Sequence, residues 1–211
     1  FAESSAFASG TQGDGASLVP FVVSACARDG SSFLMLVSAY TRASAVIAAR
    51  DNQQLKGIIG TVAELCAPKD SSHEVALATA IGAGMASVVV ETDQDAANAI
   101  RWLAENRAGR ATFLPLNKLA SSRAGGKTVM TARKDGVLGF AHEMMDYDPR
   151  IDVAVRFVLR NTLIVENLSI ARQHMGGTRF VTLRGDVIEA GGAMVGGAFG
   201  VIAAEGFPGL A

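Results

Sequence analysis

The sequence predicts a mixed α/β (α+β) fold made of two pseudo-symmetric subdomains, each a small sheet with helices. Three observations carry this prediction. The β-branched runs at 87–91 (SVVVE) and 162–166 (TLIVE) have the composition of buried strands. Each is followed by a capped helix, a glycine stop and a further strand, and the helix, strand, helix, strand order recurs about 75 residues along the chain. Hydrophobic residues make up 49% of the 211 positions, enough for a packed core.

Taken in order, residues 1–15 are rich in Ser, Ala and Gly and predict a loop or tether. Residues 18–25 and 33–39 are apolar, with turn chemistry between them at Arg28, Asp29, Gly30 and Ser31. A hairpin is the favoured expectation, with a helix from about Thr41; one helix over 32–50 is the competing one. The apolar segment 55–66 is punctuated by Gly57 and Gly60. Ser71 or Ser72 then caps a helix over 73–82, with Val75, Leu77, Ala78 and Ile81 on its apolar face.

After the strand at 87–91, Thr92 or Asp93 caps a helix over 94–106, with Ala97, Ile100, Trp102 and Leu103 as buried candidates. Gly109 stops it, and 111–116 is a strand. In the second half, 146–149 (DYDP) leads into a helix over 150–159 and the strand 162–166. A helix over 168–174, a Gly176-Gly177 stop and the strand 179–183 follow. Arg184, Gly185 and Asp186 form a turn, and Val187 begins another strand that runs into Gly191, Gly192, Gly196 and Gly197. Glycines there weaken an ordinary strand but suit a place where another backbone comes close. Each half is expected to offer a sheet with helices on one side and an unpaired edge. Two such edges suit an isologous dimer that closes into a ring.

The global charge gives no pull toward nucleic acid or membrane, since 19 basic residues face 20 acidic ones. Cys26 and Cys66 lack any neighbouring ligand motif, which predicts free thiols and a reducing compartment. No apolar run reaches the roughly 18 residues of a membrane span. No charged region precedes an apolar one at the start, so no signal peptide is expected.

The segments LKGIIGTVAEL, VVVET, GRATFLPL, YDPR, TLIVEN and VTLRGDVIEAGGAMVGG, in that order between residue 55 and about residue 198, resemble the hinge domain of the SMC (structural maintenance of chromosomes) proteins of the bacterial and archaeal type. The resemblance implies two pseudo-symmetric subdomains and a toroidal homodimer in which each subdomain's sheet joins the partner's. It implies that Gly191, Gly192, Gly196 and Gly197 lie at the dimer contact, with Val195 packed into the partner's face. It implies chromosome organisation and segregation, a nucleoid-associated cytoplasmic setting, and coiled-coil arms. An ATP- and Mg-binding head, condensin-like, would stand elsewhere in the full-length protein. Residues 1–45 and the tail 201–211 show no heptads and lie outside the resemblance. The expected division is therefore 1–45 divergent, 46–120 subdomain I, 121–136 basic linker, 137–200 subdomain II and 201–211 tail.

Between 117 and 134 the sequence carries Lys118, Arg123, Lys127, Arg133 and Lys134 and no acid. This run fits either a solvated linker or a sequence-independent contact with the phosphate backbone of DNA, a weak and salt-dependent one with no interleaved aromatic to stack bases. Weak DNA contact near the hinge is also a trait of the resembled family. The stretch 124–128 (AGGKT) looks like the end of a nucleotide-binding loop, but Ser121 stands where the Walker pattern needs glycine and no strand precedes it. His73, His142 and His174 have no metal-ligand spacing and are expected on helix surfaces or at caps. No catalytic site, metal, cofactor or small-molecule substrate is expected in this segment. The rival expectation is a small α/β ligand-binding or enzymatic domain that uses the glycine-rich loops.

Overall fold

The structure is a computed structural model that describes residues 30–121 and 123–196, with side chains from 41 onward. A 22-residue helix, α1 (Gly30–Asp51), leads into a strand β1 (Ile58–Thr61), a one-turn helix α2 (Val62–Leu65) and a strand β2 (Cys66–Pro68). A 3-10 turn at Ser71–His73 opens α3 (Glu74–Ile81), and β3 (Val88–Val90), α4 (Asp93–Glu105) and β4 (Phe113–Pro115) complete the first half. The second half begins with α5 (Gly126–Thr131), followed by β5 (Val137–Phe140), a 3-10 turn at Ala141–Met144 and β6 (Met145–Tyr147). Another 3-10 turn, Pro149–Ile151, opens α6 (Asp152–Leu159). After it come β7 (Leu163–Val165), α7 (Leu168–Gln173), β8 (Phe180–Thr182), β9 (Val187–Ile188) and β10 (Met194–Val195).

The duplication extends to individual hydrogen bonds. In the first sheet β1 runs antiparallel to β3, with a bulge between Ile58 and Gly60, and β3 runs parallel to β4. In the second, β5 runs antiparallel to β7, with a bulge between Val137 and Gly139, and β7 runs parallel to β8. The Glu91 amide donates to the Gly57 carbonyl at 2.9 Å, and the Glu166 amide to that of Gly136 at 3.0 Å. Both glycines have positive φ, +70° and +76°. A Cβ on Gly57 would overlap the Asp95 carboxyl, and one on Gly136 the Ile170 side chain. Asp95 and Ile170 each stand three residues after the cap of the following helix, Thr92 and Asn167. Asp70 and Asp148 cap the matching 3-10 turns by accepting from the amides of Ser72 and Arg150, at 2.8 and 2.9 Å.

The halves share one core. Leu77 and Ile81 of α3, Val155 and Leu159 of α6, Val89 of β3 and Ile164 of β7 belong to it, with β2 and β6 pairing as a separate two-stranded sheet that bridges the two halves. In that bridge Cys66 faces Tyr147, Ala67 faces Asp146 and Pro68 faces Met145, which places the local two-fold at the Ala67–Asp146 pair. The outer face of the first sheet, Val88 and Val90, is covered by α1 and α4 through Val46, Ala99 and Leu103. That of the second, Leu163, Val165 and Phe180, packs against Ala132 just after α5 and Ala171 of α7. Helices therefore lie on both faces of each sheet, not on one. This is why the middle strands β3 and β7 are apolar at every position.

Several expectations change. Residues 33–39 are helical within α1, not a strand, because the helix formers Leu34, Met35, Leu36 and Ala39 outnumber Phe33 and Val37, the two residues with a β preference. The helix also runs across the expected boundary at 45. The segment 121–136 contains α5, which buries Thr128 and Thr131 and occupies the place that the end of α1 holds in the first half. On α4 the buried face is Ala96, Ala99 and Leu103, and Ile100 is 56% exposed. His142 is buried beside Phe140, with ring centroids 5.4 Å apart, not on a surface or at a cap. Met145 fills the core as expected and Met144 packs against it. The expected strand at 18–25 lies outside the described residues, as do Gly197 and the tail.

Candidate dimerisation edge and basic surface

The second sheet has the order β10-β9-β8-β7-β5, so β10 forms one of its outer edges; the first sheet, β1-β3-β4, ends at β4. The hairpin that carries β10 is closed at Glu189, whose amide donates to the Ala193 carbonyl at 2.8 Å and whose carbonyl accepts from the Gly192 amide at 2.8 Å. Gly192 has φ +92°, the left-handed conformation such a turn requires. Since Glu189 and Ala193 form a hydrogen-bonded pair, antiparallel alternation makes Val187 and Val195 the next one. The intervening Ile188–Met194 pair is then the non-bonded kind. The N–H and C=O of Met194 consequently face away from β9, toward the open edge.

Arg179 braces this hairpin against both halves. Its Nε donates to Glu189 Oε1 at 3.0 Å, and its Nη1 donates to the Ala80 carbonyl at 2.8 Å and to Thr162 Oγ1 at 3.2 Å. The Gly177 amide donates to the Ala190 carbonyl at 2.9 Å. On this support stand three exposed apolar side chains: Val195 (65%), Met194 (48%) and Met175 (38%). Met175 Cε lies 3.8 Å from where a Gly192 Cβ would be.

The glycines of the run have distinct roles within the chain. Gly192 makes the turn, and Gly196 passes close to Asp186, whose Oδ1 would stand 2.5 Å from an added Cβ. Gly191 is exposed with no heavy atom within 4 Å of an added Cβ, so nothing inside the chain accounts for it. The unpaired edge expected in the second half falls on β10, a position that only the sheet order determines.

The five basic residues 118–134 are all exposed and make no ion pair among the described residues. They occupy three places. Lys118 lies in the turn after β4, next to Asn117 and Asp93; the Asn117 side chain, with Lys118 nearby, holds the Asp93 carboxyl below its usual range. Arg123 precedes α5. Lys127 stands on its first turn, with Nζ donating to the Gly176 carbonyl at 2.7 Å, while Arg133 and Lys134 follow its last turn. The nucleotide-loop-like stretch 124–128 is the start of this six-residue helix and follows no buried strand.

Elsewhere, burial pushes the Cys66 thiol up to about 12 and, with the Asp152 hydrogen bond, the Tyr147 hydroxyl to about 12. Burial and the nearby Arg156 hold His142 below its usual value. Among the described residues no cluster of three or more His, Cys, Asp or Glu could hold a metal ion. No described helix is long and apolar enough to cross a membrane.

Together these features define an internally duplicated α/β module with a shared core and an exposed apolar sheet edge. The profile of the family described as "SMC proteins Flexible Hinge Domain" matches residues 55–175, more than half of the chain. The chain belongs to this family. It is 40% identical over 144 residues to the chromosome partition protein Smc of Pyrococcus furiosus, which covers 68% of this chain and 11% of that protein. It is 38% identical over 143 residues to the Smc of Gloeobacter violaceus, covering 68% of this chain and 12% of that protein. It therefore spans only about a tenth of these curated relatives' length.

Among solved structures it is similar to an asymmetric dimer of the Geobacillus stearothermophilus SMC hinge domain. That match has a TM-score of 0.70 and 29% identity, and covers 85% of this chain and 78% of that one. It is likewise similar to the Pyrococcus furiosus SMC hinge domain, with a TM-score of 0.63 and 35% identity, covering 84% of this chain and 93% of that one.

Proposed function

We propose that this chain is the dimerisation hinge of an SMC chromosome-organising protein, where it joins two copies and holds their coiled-coil arms together. The observation that carries this is the exposed strand β10, whose Met194 presents its backbone polar groups outward beside the apolar side chains of Val195 and Met175. A strand edge of this kind is a template for pairing with a second chain. The other open terminus, β4 in the first sheet, is its natural complement, and two copies paired β10 to β4 twice close into a ring. On this proposal Gly191, Gly192, Val195, Gly196 and Gly197 line the contact, and the absence of a side chain at Gly191 admits the partner's backbone.

The functional division follows the expected 46–120 and 137–200, with the first subdomain extended to take in α1 and the second to take in α5. The role is mechanical and not catalytic; ATP hydrolysis belongs to head domains elsewhere in the full-length, nucleoid-associated cytoplasmic protein. Lys118, Arg123, Lys127, Arg133 and Lys134 give a sequence-independent, salt-sensitive contact with DNA.

The test is Met194→Pro. Proline removes only the outward N–H, so the β9–β10 ladder survives while pairing with a partner strand is lost. Sedimentation should give a folded monomer with an unchanged circular dichroism spectrum. A dimer as tight as the parent would refute pairing through β10.

A further inference from the structure

Arg179 ties together three places that are distant along the chain. Its Nε donates to Glu189 Oε1 at 3.0 Å, and Glu189 is the residue whose backbone closes the hairpin carrying β10. Its Nη1 donates at 2.8 Å to the Ala80 carbonyl, one of the last carbonyls of α3, which a helix leaves without partners of its own. The same Nη1 donates at 3.2 Å to Thr162 Oγ1. That hydroxyl donates in turn, at 2.6 Å, to the carbonyl of Leu159, the last residue of α6. One guanidinium therefore holds the C-terminal ends of the matching helices of both halves, where a cation also suits the helix dipoles.

The duplication does not require this arrangement. In the first half Thr112 takes the position of Arg179: its carbonyl accepts from the Val88 amide at 2.8 Å, as that of Arg179 accepts from Leu163 at 2.9 Å. The helix ends that Arg179 holds are also uneasy ones. Both turn out of the helix at positive φ, +53° at Gly82 and +55° at Arg160, a conformation that glycine adopts freely and arginine only under strain. The edge on the other side is no firmer, since β10 is two residues long and pairs with the two residues of β9.

We propose that Arg179 is a positioning residue that couples the β10 edge to the C-terminal ends of α3 and α6, so that a partner strand on β10 steadies those ends and their loosening releases the partner. The coupling rests on dimerisation through β10. It is reciprocal in free energy: what the helix ends contribute to the dimer through Arg179, the dimer returns to them. With side chains 16% and 40% exposed, the Arg179–Glu189 pair is partly shielded from salt.

The test combines solution mass on dilution with hydrogen exchange of residues 78–87 and 159–165, in the whole chain. The parent dimer is compared with the Met194→Pro monomer and with two variants of the link. Glu189→Ala frees the hairpin from the guanidinium and keeps the backbone bonds that close it. Arg179→Lys keeps the charge but lacks the planar fork that serves Glu189, Ala80 and Thr162 together. Exchange at both helix ends should be ~5-fold or more slower in the parent dimer than in Met194→Pro, within the usual range of coupling between sites. In Glu189→Ala and Arg179→Lys the dimer Kd should rise ~5-fold or more, and exchange at the helix ends should no longer respond to pairing. An arginine that served stability alone would move the thermal midpoint and leave the Kd and the exchange difference as they were.

A parent dimer whose helix ends exchange as fast as those of Met194→Pro would overturn the coupling, and so would an unchanged Kd in Glu189→Ala. The glutamate variant decides even where Arg179→Lys fails to fold. A parent that stays monomeric, or a Met194→Pro variant that still dimerises, would overturn the strand-edge reading itself and the coupling with it.

Discussion

The two halves of the molecule agree where the backbone has no alternative and diverge where it meets solvent or a partner. Gly57 and Gly136, the bulges of β1 and β5, the aspartate caps at 70 and 148 and the eight-residue helices α3 and α6 superimpose in role. By contrast, the first sheet stops at β4 and the second continues through β9 and β10. Arg50 Nη1 donates to the Ile59 carbonyl at the bulge of β1, at 2.8 Å, whereas its counterpart Leu138 is exposed on β5. Buried Ala63 is matched by buried His142, Thr79 by Phe157 and Gly82 by Arg160. Shared features mark what the fold needs, and differences mark what each half does.

The largest expected effect tests whether the halves fold as one. Leu77→Ala and Leu159→Ala occupy matching helices in the shared core and should each cost about 2–5 kcal/mol. In both variants, fluorescence of Trp102 in the first half and near-ultraviolet signals of Tyr147 in the second should be lost in a single denaturation transition. Separate transitions would show that each half is stable alone and that the common core is weak.

A smaller effect separates the two glycines. Both hold positive φ, but the obstacle to a Cβ differs: at Gly57 it is Asp95, locked in a capping box with Thr92, and at Gly136 it is the movable end of Ile170. Gly57→Ala should cost roughly 2–3 kcal/mol, and Gly136→Ala roughly 1 kcal/mol less, by urea titration. Equal losses would mean that backbone strain alone sets the cost.

The smallest effect is electrostatic. His142 is buried near Arg156, with Glu143 and Asp152 as the facing acids, and its folded-state value lies below the ordinary one. The unfolded chain therefore takes up this proton first as the pH falls. The stabilisation is complete above about pH 6.5, the ordinary histidine value, and is lost as the pH drops toward the lower folded-state value. The depressed carboxylates Asp70, Asp93 and Asp148 act in the same direction but at lower pH. His142→Ala, which copies Ala63, should flatten the stability profile just below about pH 6.5 in thermal denaturation. A parent profile already flat there would contradict the assignment.

Much of this architecture was legible in the sequence. The strands at β3 and β7 declared themselves because burial on both faces demands an unbroken apolar run, and the cap at Thr92 or Asp93 because such side chains bond locally. Other features depend on distant partners. A two-residue strand such as β10 has no periodicity, and its open edge exists only through the order of the sheet. Helix α5 is short and polar, so its basic run concealed that Thr128 and Thr131 are buried. The face of α4 shifted because helices cover both sides of the sheet, and the strain at Arg160 appears only when its backbone is set against that of Gly82.

The most direct test of the central claim is the solution mass of the parent chain by light scattering, across micromolar dilution and at low and high salt. Pairing of apolar strand edges predicts a mass near twice 21.8 kDa that persists on dilution and does not change with salt. A mass of 21.8 kDa under all conditions, or a dimer that salt dissolves, would contradict it.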